Sequence, residues 1–250
     1  MANLYLVESL RHAALGDIVV VSGQEARHAA TVSRTRVGDA IAVGNGAGLV
    51  VDGVVRTADA SQLTLEVESV TTTEARTPAL WLAQALAKGG RDEAAIQTAT
   101  ELGVDGVIPW AASRSIVRWD GAKVAKGDER WRAIVREAAK QSMRAWLPEV
   151  APLVTTTRLA TLGRSSRLLV LDPMGDLPLT ALDPADDERE GAESEDSVVI
   201  VGPEGGISPQ ELDSLGAAGA RRVRLGDTIL RTSSAGPAAL AVLNAQLGRW

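Results

Sequence analysis

A glycine-rich turn between two predicted elements is the segment of this chain best suited to bind a ligand. Residues 202–206 read Gly-Pro-Glu-Gly-Gly, and glycines allow a tight bend and a close backbone approach to a bound molecule. The apolar, β-branched residues 198–201 precede the turn and predict a buried strand. Open α/β sheets bind ligands where a strand enters such a turn, so the segment predicts either a ligand site or a purely structural corner.

The residues in and after the turn offer a carboxylate and a helix start. Ser208 suits the N-cap, Pro209 suits the first helical position, and Glu211 completes a capping box three residues after the serine. Within the turn, the Glu204 carboxylate is placed to accept a proton, to orient a substrate, or only to bond the amides of its own loop. The sequence leaves these roles of Glu204 open.

Positive charge is concentrated in one stretch although the whole chain is acidic. The net charge is −6, and residues 183–196 hold eight acids and one arginine, a local −7 that leaves +1 for the rest. Residues 114–144 hold nine Lys/Arg and four Asp/Glu, with Trp119 and Trp131 among them. Clustered cations attract a phosphate backbone, but the same stretch is also compatible with a solvated helix face.

The composition excludes several kinds of protein and site. The chain has 250 residues and no cysteine, which rules out disulfides, zinc–thiolate sites and thiol nucleophiles. It has no apolar run of about 18 residues and no basic segment leading into an apolar N-terminal stretch. We therefore expect neither a membrane span nor a signal peptide, and we expect a cytoplasmic protein.

The first 72 residues predict a small β-barrel, followed by a linker. Patterns typical of strands occupy residues 18–21, 40–43, 49–55 and 62–70. Residues 44–48 read Gly-Asn-Gly-Ala-Gly, which favours a hairpin over a dinucleotide motif because a strand follows and not a helix. Residues 73–78 are polar, end in proline and predict the linker.

Residues 79–250 alternate strand and helix patterns, which predicts an α/β domain with a mostly parallel sheet. Strand patterns occupy residues 80–86, 106–110, 167–172, 198–201 and 221–225. Helix patterns occupy residues 92–102, 129–146 and 235–247. The acidic run, residues 183–196, is poor in apolar residues and predicts a disordered loop. We do not expect its carboxylates to bind metal or to act in acid–base chemistry.

Four motifs in order resemble a known enzyme family over nearly the full chain. The glycine-rich turn is followed by Leu-Gly-Asp-Thr-Ile-Leu-Arg-Thr at residues 225–232. It is preceded by Glu-Leu-Gly-Val at 101–104 and by Glu-Ala-Ala-Lys-Gln-Ser-Met-Arg at 137–144. This combination resembles the 16S ribosomal RNA (uracil-N3)-methyltransferase family, RsmE, of the SPOUT superfamily. Residues 24–39 look like that family's N-terminal RNA-binding barrel, which is PUA-like.

The resemblance implies a fold and a cofactor that composition and spacing do not show. SPOUT domains carry a C-terminal trefoil knot, against the general rule that chains do not thread loops. The loops of the knot bind S-adenosylmethionine, and the enzymes are usually homodimers with the site near the interface. The cofactor-binding residues that the resemblance implies on this chain are Leu171, Gly202, Pro203, Glu204, Gly205, Gly206, Leu225, Gly226, Ile229 and Leu230.

The implied substrate atom is N3 of a uridine in 16S rRNA, within the 30S subunit. This nitrogen must lose its proton as it attacks the methyl group, and Arg231 can stabilise the developing anion by donating to a ring carbonyl. Arg231 is also compatible with capping a strand end or binding phosphate. The family commonly has Arg-Thr-Glu-Thr-Ala here, whereas residues 231–235 read Arg-Thr-Ser-Ser-Ala and lack that acid. The missing cysteine agrees with ring-nitrogen methylation, because C5 methylation of pyrimidines usually needs a cysteine adduct.

The basic stretch and the resemblance together predict RNA contacts. Arg132, Arg136 and Lys140 recur every four residues and form one stripe of the predicted helix. His28 is compatible with an RNA contact through the barrel and with a structural role. The predicted RNA-binding residues are His28, Arg34, Arg114, Arg136, Lys140, Gln141 and Arg144.

Other functions are compatible with parts of this pattern. A SPOUT ribose 2′-O-methyltransferase would keep the fold and change the acceptor atom. A non-catalytic RNA-binding assembly factor would keep the fold without binding S-adenosylmethionine. A nicotinamide-dependent enzyme is disfavoured, because no Gly-x-Gly-x-x-Gly follows a predicted strand.

Overall fold

A computed structural model describes residues 4–59, 61–182 and 196–250. The chain divides into two compact units. The first unit comprises Met1–Ala75 and Ala139–Leu147, and the second comprises Arg76–Ala138 and Pro148–Trp250. The assignment of Ala139–Leu147 to the first unit differs from the sequence-based division, which kept residues 79–250 together. The acidic run predicted to be a disordered loop lies outside the described residues, apart from Asp196.

The described part of the first unit contains a five-stranded sheet, a short α-helix and a short π-helix, Ala29–Ser33. The strands are β1 (Leu4–Leu6), β2 (Ile18–Ser22), β3 (Ala40–Gly44), β4 (Leu49–Ala58) and β5 (Gln62–Thr72), and helix α1 is Gly23–His28. The strand order is β1-β3-β4-β5-β2, with β1 parallel to β3 and the other pairs antiparallel. Inward-facing residues that alternate along β4 and β5 fill the core. The β-rich domain is therefore confirmed, although β1 and α1 were not predicted.

The second unit is built on parallel strands. They are β6 (Leu80–Ala85), β7 (Gly106–Ala111), β8 (Glu149–Val150), β9 (Val154–Thr155), β10 (Arg167–Leu171), β11 (Leu177–Pro178), β12 (Ser197–Val201) and β13 (Arg221–Arg224). The sheet runs β11-β13-β10-β12-β6-β7-β8, β9 also pairs with β7, and every pair in this sheet is parallel. The predicted mostly parallel sheet is confirmed, and the short strands β8, β9 and β11 were missed.

The described structure also contains two 3-10 helices, Thr161–Arg164 and Leu179–Ala181, and five further α-helices. They are α2 (Arg91–Glu101), α3 (Ala122–Gln141), α4 (Thr156–Ala160), α5 (Pro209–Ala217) and α6 (Thr232–Gln246). Helix α5 begins with the predicted capping box, since the Ser208 side chain accepts from the Glu211 N–H and the Glu211 side chain accepts from the Ser208 N–H. None of the helices in the described part of the chain combines the length and apolar character that crossing a membrane requires.

Helix α3 lies earlier in the chain than the predicted residues 129–146. Its first turns are stabilised by tertiary packing, because the Trp119 ring fills the space beside Gly127, where an added Cβ would lie 2.4 Å from the ring. Trp119 also stacks edge-on against Trp131, with the ring centroids 5.5 Å apart. The helix ends at Gln141 because Met143 adopts a left-handed backbone conformation with φ of 55°.

Candidate functional site

Three neighbouring strands bring their following loops to one edge of the sheet. Because β13, β10 and β12 are adjacent and parallel, their carboxyl ends point the same way. The loops after these strands line a cavity of about 490 Å³, together with Arg91 at the start of α2 and the first residues of α6. This volume is typical of sites that hold a small molecule.

Most of the predicted cofactor-binding residues lie on the wall of this cavity. Those that line it are Leu171, Gly202, Pro203, Glu204, Gly206, Leu225, Gly226, Ile229 and Leu230. Gly205 lies instead beside Arg114, where an added Cβ would be 3.3 Å from the Arg114 Cβ. The Gly205 carbonyl also accepts a hydrogen bond from Arg114 Nη1 at 3.1 Å. The outer side of the turn is thus held by an arginine, and the inner side faces the cavity.

Two glycines give the turn its shape. A Cβ on Gly202 would lie 2.6 Å from Ile207 Cγ1, so a larger residue would push the turn apart. Gly206 has φ of 70°, a conformation that side chains other than glycine rarely adopt. The glycine-rich sequence is therefore required both by close packing and by backbone conformation.

The Glu204 carboxylate is engaged by cationic and backbone donors. Its Oε1 accepts from Arg91 Nη1 at 2.7 Å and from the Lys88 N–H at 3.2 Å. Desolvation raises the pKa of Glu204, but hydrogen bonds from its own N–H, from Arg91 and from Lys88 outweigh this effect and leave the pKa below its usual value. A carboxylate held in this way is a weak base, so the structure favours the interpretation that Glu204 fixes its own loop.

Arg231 stands between the last cavity loop and helix α6. It is the N-cap residue of α6, and its carbonyl accepts from the N–H groups of Ser234 and Ala235 at 2.8 and 3.0 Å. Its side chain is exposed and lines the cavity. Helix α6 therefore begins three residues earlier than predicted, and Ser233 lies in its first turn. The backbone of Arg231 is fixed while its guanidinium faces the cavity and solvent.

The buried Glu211 side chain bonds to more residues than the predicted capping box includes. Its carboxylate accepts from the Ser113 N–H and hydroxyl at 2.8 and 2.7 Å, and from the Thr156 hydroxyl at 2.8 Å. The Ser208 N–H and hydroxyl donate to it at 3.1 and 2.9 Å. Burial raises the pKa of Glu211, but these donors outweigh it and lower the pKa to about 2. Glu211 thus ties the start of α5 to the loop that carries Arg114.

Comparison with known proteins identifies the family of the chain. A family model described as an RNA methyltransferase domain matches residues 73–244, and another, described as an RNA methyltransferase PUA domain, matches residues 21–68. Ribosomal RNA small subunit methyltransferase E from Mycobacterium tuberculosis is 39% identical over 255 aligned residues, with 100% of this chain and 94% of that protein covered. The chain belongs to the ribosomal RNA small subunit methyltransferase E family.

Other members support the same family and the fold. Ribosomal RNA small subunit methyltransferase E from Bacillus subtilis is 28% identical over 90% of this chain and 89% of that protein. The crystal structure of the Neisseria gonorrhoeae methyltransferase E bound to S-adenosyl methionine has a TM-score of 0.85 at 26% identity, covering 98% of each chain. A putative Legionella pneumophila methyltransferase in complex with the same cofactor also has a TM-score of 0.85 at 26% identity over 98% of both chains.

This member of the methyltransferase E family has cavity residues that sequence reasoning missed. Asp172, Arg91 and Thr232 all line the cavity. The Asp172 carboxylate accepts from the Met174 N–H at 2.9 Å and pairs with Arg222 Nη2 at 2.7 Å. For Asp172 the available signal was a polar residue directly after a buried strand, which is where parallel sheets place ligand contacts. Among the described residues no group of three or more candidate metal ligands occurs.

The predicted RNA-binding residues have different environments. Arg114 is exposed beside the turn, and Arg136 is partly buried on α3. In the first unit, Arg34 and Gln141 are exposed and Arg144 is partly buried. His28 stacks edge-on against Tyr5 with the ring centroids 6.5 Å apart, which favours its structural interpretation.

Lys140 does not have the environment expected of an RNA-contacting side chain. Its side chain is only 5% exposed, and its Nζ forms an ion pair with Glu25 Oε2 at 3.1 Å. Four-residue spacing shows that side chains share a helix face, but it does not show which protein surface covers that face. The prediction of an RNA contact for Lys140 is therefore corrected to a buried ion pair within the first unit.

Proposed function

We propose that this chain transfers a methyl group from S-adenosylmethionine to N3 of a uridine in 16S rRNA of the small ribosomal subunit. The observation that carries the proposal is the cavity formed by the loops after β10, β12 and β13, with Arg231 on its wall. Membership of the methyltransferase E family supports the reaction class, because relatives of that name act on small-subunit ribosomal RNA.

The cavity has the chemistry that S-adenosylmethionine requires. Backbone groups of the Gly202–Gly206 turn can approach a ligand closely, since no Cβ occupies the open space beside Gly206 on the cavity wall. Ile229 and Leu230 supply exposed apolar surface for a flat adenine ring. Glu204 and Asp172 also line the cavity, and each of these carboxylates is paired with an arginine. When bound, this cofactor supplies the electrophilic methyl group.

Arg231 is proposed to act on the uracil. Its guanidinium can donate to a ring carbonyl oxygen, which stabilises the negative charge that develops as N3 loses its proton. The fixed backbone of Arg231 at the N-cap of α6 supports this role, because it holds the base of the side chain at the cavity wall. Glu204 holds the turn through Arg91 and Lys88, so we assign the N3 proton to solvent water, which reaches the cavity at the exposed Arg231.

The RNA is proposed to approach over exposed cations. Arg114 is exposed next to Gly205, so a phosphate bound by this side chain would lie beside the turn that forms the cavity wall. The PUA domain match over residues 21–68 supports additional RNA contacts by the first unit. Arg34, Gln141 and Arg144 are the candidates there, and Arg136 is the candidate on α3.

The proposal extends to the oligomeric state of the chain and to the particle on which it acts. We infer a homodimer acting on the 30S subunit in the cytoplasm, with a trefoil knot formed by the loops that surround the cavity. The dimer and the knot are supported by the family resemblance of the glycine-rich turn and of residues 225–232. Light scattering tests the dimer, and a comparison of naked 16S rRNA with 30S particles tests the substrate.

Nucleoside mass spectrometry tests the reaction. Purified chain and S-adenosylmethionine are incubated with 30S particles from a strain that lacks this modification, and the rRNA is digested to nucleosides. The expected product is 3-methyluridine, together with a new reverse-transcriptase stop at one uridine, since N3 methylation blocks base pairing. A 2′-O-methyl nucleoside would favour the ribose methyltransferase, and no methylation without measurable cofactor binding would favour a non-catalytic RNA-binding factor.

A further inference from the structure

Hydrogen bonds connect Gln84 on β6, Thr232 on α6 and Gly202 in the glycine-rich turn, and we call these three residues the relay. Gln84, near the end of β6, is fully buried, and its Nε2 donates to Thr232 Oγ1 at 2.9 Å and to the Ala85 carbonyl at 3.0 Å. Thr232 Oγ1 donates in turn to the Gly202 carbonyl at 2.8 Å. Gln84 is 148 residues from Thr232 in sequence, so only the fold brings the relay together.

The chemistry of the groups fixes the direction of the relay. The Ala85 carbonyl can only accept, so the Gln84 atom that faces it must be the amide nitrogen. The same nitrogen donates to Thr232, which leaves the hydroxyl proton of Thr232 for the Gly202 carbonyl. Because each donated hydrogen has one defined acceptor, the relay holds Gln84, Thr232 and Gly202 in one arrangement.

The relay fixes the glycine-rich turn relative to the start of helix α6, and both line the cavity. Gly202 opens the glycine-rich turn, and Thr232 is the first residue of α6, directly after Arg231. The first turn of α6 also packs closely on the sheet, since a Cβ on Gly236 would lie 2.8 Å from Leu82 Cδ1. A shift of α6 relative to the turn would therefore have to break the relay and open this packing.

We propose that Gln84 and Thr232 are positioning residues that hold the glycine-rich turn and Arg231 at a fixed separation. Thr232 lies on the cavity wall, whereas Gln84 is not among the residues that line the cavity and acts through Thr232. This inference rests on the proposed function, because it assigns to the relay the alignment of the cofactor wall with the group that stabilises the uracil anion.

The decisive variant is Thr232→Val, which keeps the shape and burial of the side chain and removes its hydroxyl. It removes the hydroxyl that donates to the Gly202 carbonyl and leaves Gln84 Nε2 with only the Ala85 carbonyl, so we expect S-adenosylmethionine to bind about 10-fold more weakly. The single-turnover methylation rate at saturating cofactor should fall by about 10-fold as well, because Arg231 is displaced. Thr232→Ser retains the hydroxyl and should restore both values to within about threefold of the wild type.

Thr100→Val is the matched control for loss of a buried hydroxyl in the same unit. Thr100 is fully buried, and its hydroxyl donates to the Ile96 carbonyl at 2.8 Å within α2. This variant should lower the melting temperature and leave cofactor affinity and methylation rate unchanged. Thr232→Val should differ from it by changing affinity and rate.

The outcomes separate the relay from the proposed function. If the wild-type chain does not bind S-adenosylmethionine in calorimetry, the proposed function fails. If the wild type binds it and Thr232→Val matches the wild type in affinity and rate, the relay proposal is overturned, whatever the melting temperature. If Thr232→Val does not fold, Gln84→Met decides instead, with weaker binding and slower transfer expected and wild-type values contradicting the proposal.

Discussion

The glycine-rich turn and the end of helix α3 each contain an ion pair, but the two pairs have opposite environments. Arg91 and Glu204 form theirs at the cavity, with side chains 36% and 21% exposed. Lys140 and Glu25 form theirs in the interior of the first unit, at 5% and 12% exposure. A solvated pair contributes little to folding and can adjust to a ligand, whereas a buried pair must stay intact. An ion pair therefore indicates a role in ligand binding at the cavity and a role in stability in the interior of the first unit.

The largest expected effect is on the buried pair. Lys140→Met removes one cation from the Glu25 side chain, and breaking a buried ion pair from one side should lower the free energy of unfolding by about 3–5 kcal/mol. S-adenosylmethionine affinity of the folded fraction should stay at the wild-type value. Chemical denaturation followed by circular dichroism measures the first quantity and calorimetry the second. The double variant Lys140→Met with Glu25→Gln should recover much of the loss, and a single variant as stable as the wild type would contradict the assignment.

Glu211 gives the next largest effect and a pH dependence. The pKa of this carboxyl is about 2 in the folded chain against an ordinary value of 4.5, so it stabilises the fold above pH 4.5 and loses that contribution as pH falls toward 2. Glu211→Gln should cost on the order of 3 kcal/mol at pH 7. The difference from the wild type should shrink between pH 5 and about 3. A difference that is independent of pH over this window would show that Glu211 is not held as a carboxylate.

Arg91→Ala should separate function from stability at the cavity. Because the Arg91–Glu204 pair is solvated, the free energy of unfolding should change by less than about 1 kcal/mol. Cofactor affinity should fall about threefold to 10-fold, since the turn loses one of its fixed donors. Arg130→Ala is the matched control, because Arg130 pairs with Glu93 at 2.9 Å in the same unit and is not among the cavity-lining residues. If Arg91→Ala and Arg130→Ala bound S-adenosylmethionine equally well, the ion pair at the cavity would have no special role in cofactor binding.

The smallest effect concerns the acidic run. Deletion of residues 184–195, with Asp196 kept, should leave methylation and melting temperature nearly unchanged. Asp196 must be kept because its Oδ1 accepts from the Ala79 N–H at 2.7 Å and its carbonyl accepts from the Arg167 N–H at 2.8 Å. A deletion that also removes Asp196 should lower the melting temperature. A large loss of activity from the shorter deletion would show that the run takes part in function.

The turn region could be predicted because its signals are contiguous in the sequence. The apolar strand, the glycines and the capping box of Ser208 and Glu211 all occur within fifteen residues and specify the backbone locally. The strands β10, β12 and β13 are far apart in the sequence, so local patterns do not show that they are neighbours. The resemblance to one family predicted that the loops after them form one site. Part of the lining of the cavity was therefore predictable. Gly205 was wrongly included because Arg114 covers it, and Arg91, Asp172 and Thr232 were missed.

The remaining features depend on contacts between distant residues. The start of α6 at Thr232 could not be predicted because threonine and serine form helices weakly, and the hydrogen bonds to Gly202 and Gln84 are tertiary. Lys140 lies in a basic stripe whose burial requires Glu25, more than a hundred residues earlier. Gln84 lies in an apolar strand pattern that gives no sign of its partner. Periodicity shows which side chains share a face but not what covers it.

Single-turnover methylation by Arg231→Ala tests the central claim most directly. The variant is compared with the wild type on 30S particles at saturating S-adenosylmethionine, and cofactor affinity is measured in parallel by calorimetry. The expected result is a rate at least about 100-fold lower with affinity within about threefold of the wild type, because a donor to the developing uracil anion is lost while the cavity remains. A wild-type rate in this variant would contradict the assignment of Arg231 and with it the proposed chemistry of the site.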